Sequence, residues 1–379
     1  MSNLKLLIIS HTPHALKEGK PAGWAATVRE IDQLASLFKA VVHIAPLYKH
    51  GLEESTLAYK AGNVIYKPVN PSGGIKIINK LEIIFKIPEY ISAILQELKT
   101  CDIVHVRCPS NISLVALILL AFVRYPKKRW IKYAGNWKPA GNEPWSYSLQ
   151  RGLIKSNFLT AVATVNGEWP NQPQHIHSFL NPCFSKEELD QAKITEKNLD
   201  VQKTVKFVFV GRVETEKGIG TALQVLASLS DKQISAFLDV VGDGVERTAF
   251  EKLARNLNLD NVRFHGWLNR KELNDLYAQS HFLILPSTAS EGWPKVISEA
   301  MSFGVIPLSS DVSSIPHYLK KFCAGKSLPV NNVNLWVEAV SVYLKNPQLF
   351  RAEALLAIKA AENFTYEIYL EKVRKMMGI

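Results

Sequence analysis

Apolar residues along this chain fall in short, evenly spaced runs separated by amphipathic stretches of helical length. Residues 4–9 (LKLLII) form a β-favouring run, a polar loop over 11–22 follows, and the pattern predicts a helix opening at Gly23-Trp24 and running through Phe38. The alternation continues with a strand at 40–45, a helix at 88–99, a strand at 103–106, a helix at 112–123 and a strand at 129–133. Strands alternating with helices predict a parallel sheet covered on both faces.

Over 169–184 the pattern breaks into WPNQPQHIHSFLNPCF, where three prolines and four amides interrupt any helix. A second series of strands then starts, at 206–210, 237–241, 262–264, 282–285 and 305–308, again with helix-length spacers. The expected fold class is α/β, with two Rossmann-like, doubly wound domains facing across a cleft. The expected boundaries are 1–182 for the first domain and 183–364 for the second. A helical tail over 365–379 is expected to cross back to the first.

A length of 379 residues with 47% hydrophobic content supplies two such cores. No low-complexity tract stands out, which argues against disorder or a solenoid. Residues 1–10 have no basic leader and read as a first strand rather than a signal peptide. The run 112–123 is about half the ~20 residues a membrane span needs. Four scattered cysteines without a CxxC pair suggest free thiols in the cytoplasm and no zinc site. The net charge of +11 implies an acidic partner: nucleic acid, an anionic membrane surface or a phosphorylated small molecule.

Two segments carry candidate chemistry. FVFVGRVETEKGIGTAL places Gly211 after a strand, then Arg212, then Lys217-Gly218 before a helix, so two cations and a helix N-terminus converge as a phosphate site would need. A solvated strand-to-helix loop is the alternative, and no GK[ST] of a Walker loop is present. LPSTASEGWPKVISEAMSFGVIPL holds Glu291 and Glu299 around Gly292-Trp293-Pro294-Lys295. Pro294 fits the first helical position, leaving the amides of Lys295 and Val296 for a phosphate, while Gly292 admits close approach. Glu299, one turn past Lys295, is placed for ribose hydroxyls and Glu291 for a sugar. An i,i+4 pair of Glu299 with Lys295 and a helix-capping role for Glu291 are the structural alternatives. Gly242-Asp243-Gly244 reads as a tight turn.

Taken together, VGRVETEKG, VVGDG, VRFHGWL, the LPS run and E-GWPKVIS-E resemble, in order and spacing, the second domain of the retaining glycosyltransferases of family 4, with the GT-B fold. The resemblance is strong from Val205 to about Asp311 and extends to the whole chain in architecture. It implies a nucleotide-sugar donor, a UDP-sugar with a GDP-sugar as the alternative, and no further cofactor or metal. It implies that Arg212 and Lys217 neutralise the donor diphosphate, that Glu291 contacts the transferred hexose and that Glu299 holds the ribose. It aligns Ala22-Gly23 with the family's glycine-glycine loop, of which one glycine remains. It aligns Arg107, in DIVHVRCPS, with a family histidine near the sugar, an ion pair at the strand end being the other reading. GWPK replaces the family's GFG and so puts Trp293 and Lys295 near the sugar pocket. Asn136 and Trp137, at another strand end, are acceptor-site candidates.

With no DxD pair, the resemblance implies metal-independent transfer with retention, the leaving phosphate taking the acceptor proton. The expected acceptor is a saccharide or a lipid-linked one, in polysaccharide or glycolipid synthesis. The basic stretch 124–132 allows peripheral contact with an anionic inner membrane face. A sugar-nucleotide epimerase of related fold is the enzymatic rival. A nucleic-acid-binding protein is disfavoured, since no aromatic-rich basic cluster or known binding fold is present.

Overall fold

The computed structural model describes residues 2–49, 56–72, 83–139, 143–192, 197–200, 203–289 and 292–379. The chain divides into two units, Met1–Leu180 with Ile368–Ile379, and Asn181–Glu367.

In the first unit the strands are β1 (Lys5–Ile9), β2 (His14–Lys17), β3 (Lys20–Trp24), β4 (Ala40–Pro46), β5 (Thr56–Ala58), β6 (Val64–Val69), β7 (Ile103–Cys108), β8 (Lys128–Tyr133), β9 (Val162–Val165) and β10 (Ile176–Ser178). Its helices are α1 (Ala25–Ala35), α2 (Ile83–Leu98), α3 (Asn111–Phe122) and α4 (Trp145–Lys155). Seven strands form a parallel sheet in the order β10-β9-β8-β7-β1-β4-β6. Alternate residues feed opposite faces: Leu7 and Ile9 join one core, Leu6 and Ile8 the other. The C-terminal helix Tyr366–Met377 lays Tyr369, Val373 and Met377, four apart on one stripe, into that second core beside Trp130.

Local chemistry corrects two of the expected boundaries. The loop expected over 11–22 is the antiparallel hairpin β2–β3, extended by β5, and α1 opens at Ala25 rather than Gly23. Helix α2 opens at Ile83 and carries Pro88 inside, where a start at the proline was expected. The proline costs the Ile84 carbonyl its helical partner near the helix end, where Ile84 and Phe85 are exposed.

The hairpin exists to close a buried polar chain. His14 Nδ1 meets the Thr12 carbonyl at 2.8 Å, so it carries the hydrogen and Nε2 accepts from Tyr59 Oη at 2.8 Å. Tyr59 Oη in turn accepts from His43 Nδ1 at 2.6 Å, and His43 Nε2 accepts from Ser10 Oγ at 2.7 Å. Burial pushes His14 down to about 4 and His43 well below the usual imidazole range. Beside this chain, Glu30 of α1 accepts from Arg107 at 2.8 Å, Lys132 at 2.7 Å and Tyr369 at 2.9 Å.

The second unit contains α5 (Lys186–Ala192), β11 (Val205–Val210), α6 (Ile219–Asp231), β12 (Ala236–Val241), α7 (Arg247–Asn256), β13 (Val262–Gly266), α8 (Arg270–Gln279), β14 (Phe282–Leu285), α9 (Lys295–Ser302), β15 (Ile306–Ser310), α10 (Ile315–Phe322), β16 (Lys326–Leu328), α11 (Val333–Lys345) and α12 (Pro347–Ala361). Its six strands are all parallel in the order β13-β12-β11-β14-β15-β16. The order reverses between β11 and β14, so the loops leaving those two strands flank the topological switch point, where α/β sheets bind ligands. The short edge strand β16 escapes the sequence pattern because only three residues pair.

The two imidazoles predict a pH dependence of the first unit. The unfolded chain protonates them near pH 6.5, whereas folded His14 waits until about pH 4. Stability is therefore complete above pH 6.5 and falls as the pH drops from 6.5 towards 4, by up to about 1.4 kcal/mol per pH unit for each imidazole. Denaturant melts at pH 7.5, 6 and 5 should show this loss, and His14→Gln should reduce it without abolishing it, since burial also holds down His43, His105 and His11; a His14→Gln profile that parallels the parent would overturn the assignment.

Candidate active site

The loop leaving β11 is held by its own backbone. Gly211 N donates to the Val241 carbonyl at 3.0 Å and Val213 N to the Asp243 carbonyl at 2.9 Å, so the loops after β11 and β12 run side by side. Gly242 has φ +117°, and a Cβ there would lie 2.0 Å from the Gly211 oxygen. Asp243 accepts from Gly244 N at 2.8 Å, but the turn expected over Gly242-Asp243-Gly244 falls later, where Arg247 N donates to the Gly244 carbonyl at 3.1 Å, and Gly242 itself is needed for the close approach.

A 3-10 turn over Thr215–Lys217 follows, ending at Gly218 with φ +83° as the N-cap of α6. A Cβ on Gly218 would stand 1.9 Å from the Pro286 carbonyl oxygen, at the end of β14. Thr288 N donates to the Glu216 carbonyl at 2.9 Å and Ser287 Oγ to the same oxygen at 3.2 Å. The three loops leaving β11, β12 and β14 are thereby one assembly on the carboxyl ends of the strands.

Arg212 stands on this assembly with its side chain 48% exposed, pairing with Glu214 at 2.8 Å and Glu216 at 2.7 Å. Lys217 is buried in the turn. Glu246 accepts from Thr215 N at 2.5 Å and from its hydroxyl at 3.0 Å, fixing the turn that leads from Arg212 to Lys217. These three carboxylates have no signal in the sequence, because an ion pair to a loop cation leaves no periodic pattern.

The loop after β14 continues to Ala289 and resumes at Gly292; Glu291 lies outside the described residues. The Gly292 carbonyl accepts from Ser314 Oγ at 2.5 Å, which pins the approach to α9. Pro294 is the N-cap of α9, not its first residue, so Lys295 and Val296 occupy the first two helical positions. The Trp293 side chain turns away from solvent. Its ring stacks on Phe364 at 5.5 Å, meets Tyr318 edge-on at 5.3 Å, and donates from Nε1 to Ser298 Oγ at 2.7 Å. Only the backbone of Trp293 is therefore left for a ligand, which corrects the expectation that its indole stands by the sugar.

Glu299 accepts from Arg270 of α8 at 3.2 Å. Although burial opposes the charge, Glu299 and then Glu188 hold the Arg270 guanidinium above its ordinary range. Arg270 is a residue the sequence could not pair with Glu299, since the two stand in different helices with no shared pattern. Below them Cys183 is buried and its thiol is pushed up to about 12, so it remains protonated and is no nucleophile.

The first-unit candidates are placed differently. Gly23 lies in β3, where a Cβ would meet the His14 ring at 2.3 Å, so it makes room for the buried imidazole. Arg107 forms the ion pair of its alternative reading, with Glu30. Asn136 Oδ1 accepts from Lys138 N at 3.1 Å in a local turn, and Trp137 is 3% exposed, packed against Tyr133. Of the basic stretch 124–132, Lys128 donates to the Met377 carbonyl, Arg129 to those of Leu120 and Leu159, and Lys132 to Glu30, so much of its charge serves the fold. Among the described residues no helix is long and apolar enough to cross a membrane.

Residues 190–363 match the family model described as glycosyl transferases group 1. The matched stretch contains the three loops, Arg270, Glu299 and the start of α9. The chain is 33% identical over 178 residues to the uncharacterized glycosyltransferase YqgM of Bacillus subtilis, covering 46% of this chain and 48% of that protein. It is 28% identical over 143 residues to the lipopolysaccharide 1,6-galactosyltransferase of Escherichia coli, covering 37% of this chain and 38% of that protein. Both alignments thus span less than half of the relative's own length. The structure of Anabaena Alr3699/HepE in complex with UDP and glucose aligns with a TM-score of 0.69 at 14% identity, over 99% of this chain and 100% of that one. At that identity the likeness shows the fold, two Rossmann-like domains of GT-B type.

The glycine geometry gives a paired prediction. Gly218→Ala meets a backbone oxygen in a left-handed conformation and should destabilise the second unit by at least about 2 kcal/mol. Gly211→Ala meets only the Phe209 ring at 3.8 Å and should cost less than about 0.5 kcal/mol. Equal denaturation midpoints for the two variants would refute the close-approach argument.

Proposed function

We propose that this protein is a retaining, metal-independent glycosyltransferase that moves a hexose from a nucleoside-diphosphate sugar, a UDP-sugar before a GDP-sugar, to a hydroxyl of a saccharide or lipid-linked acceptor. The observation that carries the proposal is the three-loop assembly at the switch point of the second sheet, which carries the half-exposed Arg212 and the buried Lys217 just before the N-terminus of α6. Support comes from the group 1 glycosyltransferase match over 190–363 and from the UDP and glucose held by the similarly folded Anabaena protein. The lipopolysaccharide galactosyltransferase relative supports a role in polysaccharide or glycolipid synthesis.

In this reading the diphosphate lies on the loop 211–218 and on the backbone of Gly292, Lys295 and Val296 at the start of α9, with the ribose at Glu299 and the hexose at Glu291. Breaking the sugar–phosphate bond puts growing negative charge on the leaving diphosphate. Arg212, Lys217 and oriented amides stabilise that charge as it develops. The acceptor oxygen forms the new bond on the face the phosphate leaves, and its proton passes to the departing phosphate oxygen. Arg212 is available for this task at little cost, because its half-exposed pairs with Glu214 and Glu216 are worth about 0–1 kcal/mol. The cytoplasm suits a donor of this kind, and peripheral contact with an anionic membrane would rest on Arg124 and Lys127, the two basic residues that remain in that stretch beside the inward-bonding Lys128, Arg129 and Lys132.

Thermal shifts of the purified chain with UDP, GDP, ADP and dTDP test the donor site. UDP should stabilise it equally with and without EDTA. Glu299→Ala should weaken UDP binding by roughly ten- to a hundredfold, and Lys217→Gln should lower turnover by about 10²–10³. No response to any nucleotide would sink the donor-site reading, and a donor isomerised without acceptor would mean an epimerase. Retention is read from the anomeric proton of the product by NMR, where an inverted signal would overturn that part.

A further inference from the structure

Outside the residues assigned to the donor, the first unit holds a cavity of about 240 Å³ between the turn after β8, the last turn of α4 and the crossover leaving β9. Its walls include Trp137, Lys138, Lys155, Trp169, Gln172 and Pro173. Drug-sized ligand pockets occupy ~300–1,000 Å³, so this one suits a single ring.

The walls are built rather than incidental. Trp169 Nε1 donates to the Asn166 carbonyl at 2.9 Å, and Gln172 Nε2 to the Ile176 carbonyl at 2.8 Å. His175 meets the Ile154 carbonyl at 2.8 Å and so ties the crossover to α4. Trp137 is locked in the core beside Tyr133. The Lys138 ammonium sits 5.3 Å from the Trp169 ring centre, and that of Lys155 sits 5.2 Å from the Trp137 ring centre. Neither lysine forms an ion pair with a described residue.

Two ammoniums are thus held by indole faces at one small cavity, with no carboxylate of a described residue within ion-pair distance of either. An indole wall takes the apolar C–H face of a ring, and paired ammoniums take an anionic substituent on it. We infer that this cavity is a subsite for an acidic sugar, a pyranose bearing a carboxylate or a phosphate, belonging to the saccharide that the enzyme elongates or follows. The choice of a sugar over another anionic ring rests on the glycosyltransferase reading. The cavity, the cations and their geometry do not.

Calorimetric titration of the full chain with digalacturonate, beside neutral maltose, tests it. Digalacturonate should bind and maltose should bind at least roughly tenfold more weakly. Lys138→Gln and Lys155→Gln should each weaken digalacturonate roughly tenfold, Trp169→Ala should abolish measurable binding, and all three should leave the UDP thermal shift intact. Lys232→Gln, which removes the same charge from the second unit, should change nothing. Failure of digalacturonate to bind, or equal weakening by Lys232→Gln, would overturn the subsite in favour of general attraction to a basic protein. Binding with the expected pattern in a chain that ignores every nucleotide would uphold the subsite and refute the transferase reading instead.

Discussion

Everything proposed for the second unit depends on two places where bare backbone touches bare backbone. Gly218 against the Pro286 oxygen and Gly242 against the Gly211 oxygen leave no room for a side chain, and both glycines sit at positive φ. These contacts close the space above the switch point between β11 and β14 and turn three separate strand ends into one rigid floor. A floor of backbone is a floor of oriented N–H and C=O dipoles at short range, which is the surface a phosphate requires. The cost is conformational: each glycine gives up more freedom on folding than another residue would, and β11, β12 and β14 supply the offsetting burial with Phe207, Phe209, Leu238 and Ile284.

The first unit is organised around the opposite device, a polar interior. Glu30 alone receives Arg107, Lys132 and Tyr369, and the adjoining chain from Ser10 through His43, Tyr59 and His14 to Thr12 uses each hydrogen once. Such a network adds little net stability while intact, but removing one partner of a buried ion pair costs about 3–5 kcal/mol because the remaining charge is stranded. It therefore fixes one arrangement of α1, β7, β8 and the C-terminal helix rather than deepening the well, and the same hydrogen-bond chain explains why β2 and β3 form a hairpin instead of a loose loop.

The strands and most helices were legible because parallel strands covered on both faces leave continuous apolar runs, as in KLLII of β1 and FLIL of β14. The motif loops were legible too, since Gly211, Arg212, Lys217 and the GWPK segment announce themselves by residue type. The hairpin β2–β3 was not, because the contacts of His14 with Tyr59 and, through it, His43 are distant in sequence, and the edge strand β16 was not, because only three residues pair. Side-chain direction was the least legible property. Trp293 beside Gly292 in a loop after a strand reads as a ligand platform, yet Phe364 and Tyr318, far along the chain, enclose its ring in apolar contacts.

The contrast between Arg212 and Arg107 shows what the sequence could not weigh. Arg107 lies near the end of β7 and Arg212 just after β11, and both were candidates for the donor end of the site. Arg107 is spent on a carboxylate that is 1% exposed, and detaching it would take a partner from Glu30 inside a core. Arg212 is spent on carboxylates 20% and 52% exposed, whose charge water screens at once when the guanidinium leaves. By magnitude, about 3–5 kcal/mol against about 0–1 kcal/mol, the diphosphate of the proposed donor would displace the second pair and not the first. The burial of the partner, more than the identity of the cation, is what separates a binding residue from a structural tie.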